Sequence, residues 1–509
     1  MSIRTITQSS QYYRKRNTRR ILFLGLVCLV LTGILAKLVT SNPLIAIVLL
    51  AIILIIALII RWPSVGYSMA VLIVLPCELF TVPDGISTYS NLPVANLNSY
   101  TPLSISASAL ELILIVTILI TVIKASIKGE RFLDRSKTAL AVGLFGGFLI
   151  FGYLWGVYVR RGDGKVAQTE IRSILFVILL YFLTIYFVRD SKMWRTLNWI
   201  YPLGLSLMAI IGILRFFTID PAIAGPIYAE SLNGFNHDTS ILFVILVMWC
   251  LAKLVFGDNK GEKFIGWVLL APAFFGIFVS GRRSAFAVLA GCIIIFLAML
   301  FVRHRKAFII IVIILGIIGP PYMVVFSKVS GPLGMPARAF SSTSAAPGSR
   351  DANSDLYRTV EKNNVIMTIK TAPLTGIGFG QPFIRFIEFI DLEGFTLQNY
   401  TPHVQVLWLW LKVGMFGWGI FWLILCSSLF KLGQVIKYGK PGLQMTLSIT
   451  AGSTITSIMI YSYLDVGLLN TRLMTLLGIS VGLLELAYRT IEPFQPKESH
   501  KKPTNDKIR

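Results

Sequence analysis

Run after run of this chain is apolar over nearly the full length of a bilayer crossing, which takes about 18–20 residues as a helix. Fourteen such segments run roughly over 21–40, 44–60, 64–80, 104–123, 139–159, 171–188, 197–217, 239–256, 264–280, 284–302, 307–326, 404–430, 443–463 and 466–488. Lipid offers backbone N–H and C=O groups no partners, so spanning segments must be helices or a closed barrel, and these runs lack barrel alternation. The expectation is an all-α polytopic membrane protein of about 12–14 transmembrane helices with one long, partly helical external loop. Only 14% of the residues are charged, against roughly 25% in soluble domains.

The net charge of +23 does not point to nucleic acid. Its cations come as short clusters between apolar runs, the pattern that orients membrane helices. Alternating the sides from a cytoplasmic N-terminus puts 30 of the 47 Lys and Arg on the cytoplasmic side. Both termini are then cytoplasmic. The expected organisation is a basic cytoplasmic segment 1–20, a transmembrane bundle 21–326 of about eleven spans, an external loop 327–402, C-terminal spans within 403–490, and a disordered cytoplasmic tail 491–509. Ile21–Val39 reads as a retained helix, because a long basic stretch precedes it and no small-residue cleavage site follows. Cys28, Cys77, Cys250, Cys292 and Cys426 lie in apolar runs without CxxC spacing and read as small core residues.

The loop 327–402 is the long polar interruption in this chain. Gly331–Ser349 is rich in Gly, Pro, Ser and Ala and reads as a mobile linker. Ser354–Thr371 carries helical spacing (Leu356, Val360, Val365, Ile369) with Asn353 or Ser354 as the cap. Residues 383–390 read as a short amphipathic helix at the interface. The glycine run Gly376-Ile377-Gly378-Phe379-Gly380 follows no βαβ strand and is not a dinucleotide fingerprint. It is either a tight turn using positive φ or a backbone nest for an anion.

The arginines that break the charge pattern carry the chemical signal. Arg160, Arg161, Arg172, Arg215, Arg282 and Arg283 map to outer helix ends or short outer turns. An arginine at the hydrocarbon boundary snorkels, pairs or binds an anion, and its planar fork suits phosphate. Snorkelling or pairing accounts for Arg160 and Arg161. Arg282-Arg283, in a very short turn between apolar helices, reads as functional. Glu111, inside a span, has either a functional role or a structural partner such as Arg172. Asn233, Asn236, His237 and Asp238 either line a site or cap a helix. His403 stands where the loop meets the next span, and an imidazole there can take a proton from a hydroxyl.

Val279-Ser280-Gly281-Arg282-Arg283-Ser284-Ala285-Phe286 resembles the small-residue/Arg turn of the O-antigen ligase and polymerase superfamily. The likeness continues through Asp355-Leu356-Tyr357-Arg358, Ala372 to Gly380, Pro402-His403 and Gly414-Met415-Phe416-Gly417. It covers about residues 230–425. The resemblance implies an inverting glycosyl transfer at the outer face that needs neither metal nor cofactor. The donor would be a glycan on undecaprenyl pyrophosphate, and the acceptor a glycan, lipid or protein hydroxyl. It implies that Arg283 and Arg282, with Arg215, hold the pyrophosphate and that His403 is the base. Asp465 stands where an acidic partner would orient the histidine, with Arg172, Asp238 and Arg358 as further supports. The family's Asn after the histidine is Val404 here.

The expected setting is a bacterial plasma membrane, with the active site on the outer, periplasmic face. The partners would be membrane lipids, the lipid-linked donor, the acceptor and other polysaccharide-assembly proteins, in lipopolysaccharide or exopolysaccharide assembly at the cell envelope. Polymerase and ligase share these residues. The rival from another class is a transporter of an anion such as bicarbonate, or of lipid-linked sugar. Against it stand the lack of repeated halves and the placing of the unusual charges at one face. A structural subunit of a polysaccharide-export complex is a third reading.

Overall fold

The computed structural model describes residues 43–76, 94, 107–218, 237–280, 282–327, 329, 334, 336–337, 350–389 and 397–491. The side chains of residues 43–49, Gly212, Arg215, Phe216, Thr218, His237, Arg350 and Asp351 are not described. The expected basic segment 1–20, the span 21–40, residues 81–103 (Val94 apart), most of the linker 331–349, Asn233, Asn236 and the tail beyond Ile491 lie outside the described residues.

Residues 1–66 form one compact unit and 67–509 a second. In the first lie α1 (Pro43–Arg61) and the start of α2 (Pro63–Val74), with Trp62 as the only non-helical residue between them. The expected span 64–80 ends early, since α2 stops at Val74 and a turn follows at Leu75-Pro76. The second unit holds α3 (Ala109–Lys128), α4 (Lys137–Leu154) running into a π-helical turn Trp155–Val159, α5 (Gly164–Phe187), α6 (Ser191–Thr218), α7 (His237–Phe256), α8 (Lys260–Ser280), α9 (Arg283–Arg303), α10 (Arg305–Phe326), α11 (Arg350–Thr371), α12 (Gln405–Tyr438), α13 (Leu443–Leu464) and α14 (Thr471–Arg489). Ten of the described helices are long and apolar enough to cross a membrane. This is an all-helical polytopic membrane protein.

Local chemistry fixes many of the boundaries. Ser108 and Glu111 form a reciprocal capping box at α3, and Gly129 ends that helix in the left-handed region at φ 69°. Asp163 accepts from the N–H groups of Lys165 and Val166 at the start of α5, and Asn470 caps α14 through Leu473. Glu111 thus sits in the first turn of its helix and not deep in the span.

α7, α13 and α14 are buried over most of their length, whereas α10 buries no residue. The α5–α14 contact is among the closest. A side chain at Gly478 or Gly482 would run into Val177 and Thr184 on α5, so this small-xxx-small pair lets two backbones approach within the bilayer.

Ion pairs sort the helix ends into two sets. At one end Glu111 pairs with Arg172 and Asp238 with Arg472, joining the starts of α3, α5, α7 and α14. At the other end Arg489 holds Asp134, Lys431 reaches Glu485 at 2.5 Å, and Arg303 donates to the carbonyls of Ile436 and Lys437 at 3.3 Å. These contacts match an up-and-down traverse in which α3, α5, α7, α9, α12 and α14 all start at the first end.

Candidate active site

The geometry is built on one face of α11. Asp355, Arg358 and Glu361 stand at i, i+3 and i+6, so they share an arc of about 120° over roughly 9 Å of axis. Each meets a different element of the bundle. Asp355 Oδ1 lies 3.8 Å from Arg283 Nη2 at the start of α9. Arg358 Nη2 lies 3.8 Å from Asp465 Oδ2 in the α13–α14 turn. Glu361 takes His403, just before α12, and is the most intimate of the three. Its Oε2 accepts from the backbone N–H of His403 at 2.8 Å, and its carboxylate oxygens lie 3.0 and 3.2 Å from Nδ1. The Glu361 side chain is fully buried while His403 keeps about a fifth of its surface exposed, 0% against 20%. A buried carboxylate on Nδ1 fixes the ring, and leaves Nε2 as the nitrogen that can accept a proton.

α11 is therefore longer than its sequence pattern suggests, starting at Arg350, so Asn353 and Ser354 lie inside it rather than capping it. Val365 and Ile369 are buried as expected, but Leu356 is exposed. The buried face carries Glu361, Asn364 and Thr368 instead. Their partners explain this. Asn364 exchanges two hydrogen bonds with the backbone of Ile387, at 2.7 and 2.8 Å, and Thr368 Oγ1 accepts from Ile384 N at 3.0 Å. That clamp holds 383–389 as irregular backbone; the expected amphipathic helix is absent there. Tyr357, one residue before Arg358, accepts from Gln398 Nε2 at 2.9 Å and sets its ring edge-on to His403, centroids 5.8 Å apart.

The glycine run settles as a docking turn. Gly376, Gly378 and Gly380 have φ of 69°, 86° and 74°, values only glycine adopts cheaply. Four of its five N–H groups donate within the protein: Gly376 to Ala372 O, Ile377 to Leu411 O, Phe379 to Gly152 O and Gly380 to Glu170 Oε2. The run packs onto the π-helical turn, where a side chain on Gly156 would overlap the Phe379 carbonyl. Opposite it, α12 breaks at Gly414 (φ 72°, ψ 178°). Leu374 crosses so close that a Cβ at Gly414 would come within 2.0 Å of its carbonyl oxygen. The Gly414-Met415-Phe416-Gly417 stretch is thus a kink, and the expected span 404–430 is two helices.

Residues 268–422 match the family model described as O-antigen ligase (Wzy_C). This stretch is of the O-antigen ligase/polymerase superfamily. It includes the Arg282-Arg283 turn, α11, the glycine run, His403 and the kink. The match supports an O-antigen ligase/polymerase-type membrane enzyme in general terms. No curated protein matches the chain.

Several sequence-derived site residues come together in the ligase-type stretch and around it. His403, Arg283, Arg358 and Asp465 are linked through α11. Asp465 is not the acidic partner of the histidine, because Glu361 holds that position and Asp465 faces Arg358. Arg282 lies within electrostatic reach of Tyr461, as do Asp465, Asp238 and Arg472. Asp238 is buried and accepts from Arg472 Nε at 2.9 Å and Asn470 Nδ2 at 2.6 Å, so it anchors α14. Arg172 is bound to Glu111 through two nitrogens. Arg160 lies over the Trp155 ring at 5.8 Å. The backbone of Arg215 is in α6 and its side chain is outside the described residues. The sequence pattern does not single out Glu361 or Arg472. Glu361 is detectable as the carboxylate nearly three helical turns before the end of a polar helix in the loop that ends in His403. Val404, the residue before α12, provides no side-chain cap.

Proposed function

We propose that this protein is a membrane glycosyltransferase that moves a glycan from undecaprenyl pyrophosphate to an acceptor hydroxyl. The His403–Glu361 dyad is the observation that supports this most directly. Glu361 holds Nδ1, and Nε2 takes the proton of the acceptor hydroxyl as its oxygen attacks the anomeric carbon from the face opposite the leaving group. The bond between that carbon and the pyrophosphate oxygen breaks, with inversion. Negative charge grows on the departing pyrophosphate, where Arg283, Arg282 and Arg215 stabilise it. The proton on His403 returns to solvent or to the leaving group, and the dyad is reset. Asp355 and Arg358 tie the start of α9 and the α13–α14 turn to α11, the helix that also holds the base.

The described cations at the opposite end (Lys124, Lys128, Arg131, Arg189, Lys192, Arg195, Arg303, Arg305, Lys306) support a cytoplasmic location for that end. His403 then faces the periplasmic side of a bacterial plasma membrane, where the lipid-linked donor, the acceptor and the other polysaccharide-assembly proteins would meet it. The functional test is the glycan pool of cells with and without the gene. Loss of polymer with single lipid-linked repeats left behind identifies a polymerase. Full-length polymer stranded on undecaprenyl pyrophosphate identifies a ligase. Unchanged pools with reduced uptake of a small anion refute the transferase reading in favour of a transporter.

A further inference from the structure

Behind the dyad lies a second ion pair, wholly inside the protein. Lys412 Nζ is 2.8 Å from Glu170 Oε1, and both side chains are 0% exposed. Glu170, on α5, also accepts from Gly380 N at 2.6 Å and from Trp408 Nε1 at 3.3 Å. Lys412 donates to the Gln381 carbonyl at 2.6 Å and lies 5.9 Å from the centre of the Tyr400 ring. One pair thus gathers α5, the glycine run, the turn before His403 and α12.

Stability alone does not account for it, since a buried ion pair is commonly matched or bettered by apolar residues of similar volume, while removing one partner is costly. Its position is informative. The kink at Gly414 leaves Gln405–Val413 as a separate rod of nine residues, about 13 Å long. His403 adjoins the start of this rod and Lys412 stands at its end, where a cation also suits the helix dipole. Rotation or slippage of the rod therefore moves His403 directly. A slip of one residue turns the rod by about 100° and shifts it by 1.5 Å, enough to break the 3.0 Å contact with Glu361.

We propose that Lys412 and Glu170 form a positioning pair that sets the rotation and depth of the Gln405–Val413 rod, and through it the placement of His403 for glycosyl transfer. This rests on the transferase reading above, with Lys412 and Glu170 acting through His403 rather than on substrate.

The test uses the full chain in proteoliposomes with three variants: Lys412→Met/Glu170→Gln, which removes both charges, Lys412→Met, and the charge-conserving Lys412→Arg. Three quantities are read: thermal unfolding, the rate at which His403 is carbethoxylated by diethyl pyrocarbonate, resolved by mass spectrometry from the other three of the four histidines, and transfer kinetics. The double variant is expected to unfold cooperatively, to label His403 faster than the wild type, and to lose about 100-fold in kcat with little change in donor KM, the cost of misplacing a catalytic group by about 1 Å. Lys412→Arg is expected to recover much of the labelling rate and kcat, because it restores the charge partner. A folded double variant whose His403 labelling and kcat equal those of the wild type overturns the proposal. So does a folded Lys412→Met protein with unchanged labelling, and so does a Lys412→Arg protein that labels and turns over no closer to the wild type than Lys412→Met. If the wild type transfers no glycan yet the substitutions still change His403 labelling, the transferase reading fails while the positioning role stands.

Discussion

Replacing Glu361 by Gln tests the dyad with the smallest change of shape. The amide oxygen can still accept from the His403 backbone N–H, now at 2.8 Å from Glu361 Oε2, so the junction before α12 is expected to stay folded. What disappears is the negative charge beside Nδ1. With charge centres about 4 Å apart and an effective dielectric near 20, a carboxylate stabilises an imidazolium by about 4 kcal/mol, or roughly 10³-fold in rate. His403 is one-fifth exposed, and water screening lowers the expected loss to about 10²- to 10³-fold in kcat. The amide NH₂ also opposes Nδ1–H and favours the tautomer in which Nε2 carries the proton, which cannot act as base. The assay is transfer from a lipid-linked donor in proteoliposomes, with kcat and donor KM measured separately. Donor KM should move little, because the arginines are untouched. A Glu361→Gln protein with kcat within about threefold of wild type would refute a charge-dependent dyad and reduce Glu361 to a structural anchor.

Three other perturbations separate the parts. Arg283→Lys keeps the charge but loses the fork, so donor KM should rise by about tenfold or more in the same assay. Gly414→Ala places a Cβ on the Leu374 carbonyl at a φ of 72°, and thermal or denaturant unfolding should show a loss of at least about 2 kcal/mol. Asp134, at the opposite end, is raised by burial, but hydrogen bonds from Arg489 and Ser136 and the Arg489 charge outweigh burial and hold its carboxyl below the ordinary aspartate range. A carboxyl with a lowered folded value stabilises the protein above its unfolded pKa and loses that contribution as pH falls through the folded one. Asp134→Asn should therefore lower the unfolding temperature at pH 7, the difference should shrink once pH drops below about 4, and transfer kinetics should not change.

Part of the candidate site is legible in the sequence, and the parts that are not share a cause. His403 and Arg282-Arg283 stood out because charged groups are rare in such a chain and their neighbours formed a recognisable order. The helix in the loop was visible from its spacing, but its buried face was misjudged. Apolar periodicity finds a face that packs on hydrocarbon, whereas α11 buries Glu361, Asn364 and Thr368 against hydrogen-bonding partners. The acidic partner of His403 lies within the loop itself, 42 residues before it, and not at Asp465 in the short turn after α13. Lys412 and Glu170 fell inside or beside apolar runs, where nothing in either local stretch announces the other.

The sequence by itself determined that this chain is a set of membrane helices, because bilayer thickness and backbone hydrogen bonding leave a long apolar run no other structure. It also places the unusual arginines and His403 at the ends of apolar runs rather than within them. Only the tertiary structure decided which charge meets which. Those pairings join residues up to 355 positions apart, as Asp134 and Arg489 are, and no local propensity encodes a contact that exists only once helices are packed. The same holds for the kink at Gly414 and the π-helical turn at Trp155–Val159. Each is a departure from regular helix set by the close approach of another segment's backbone.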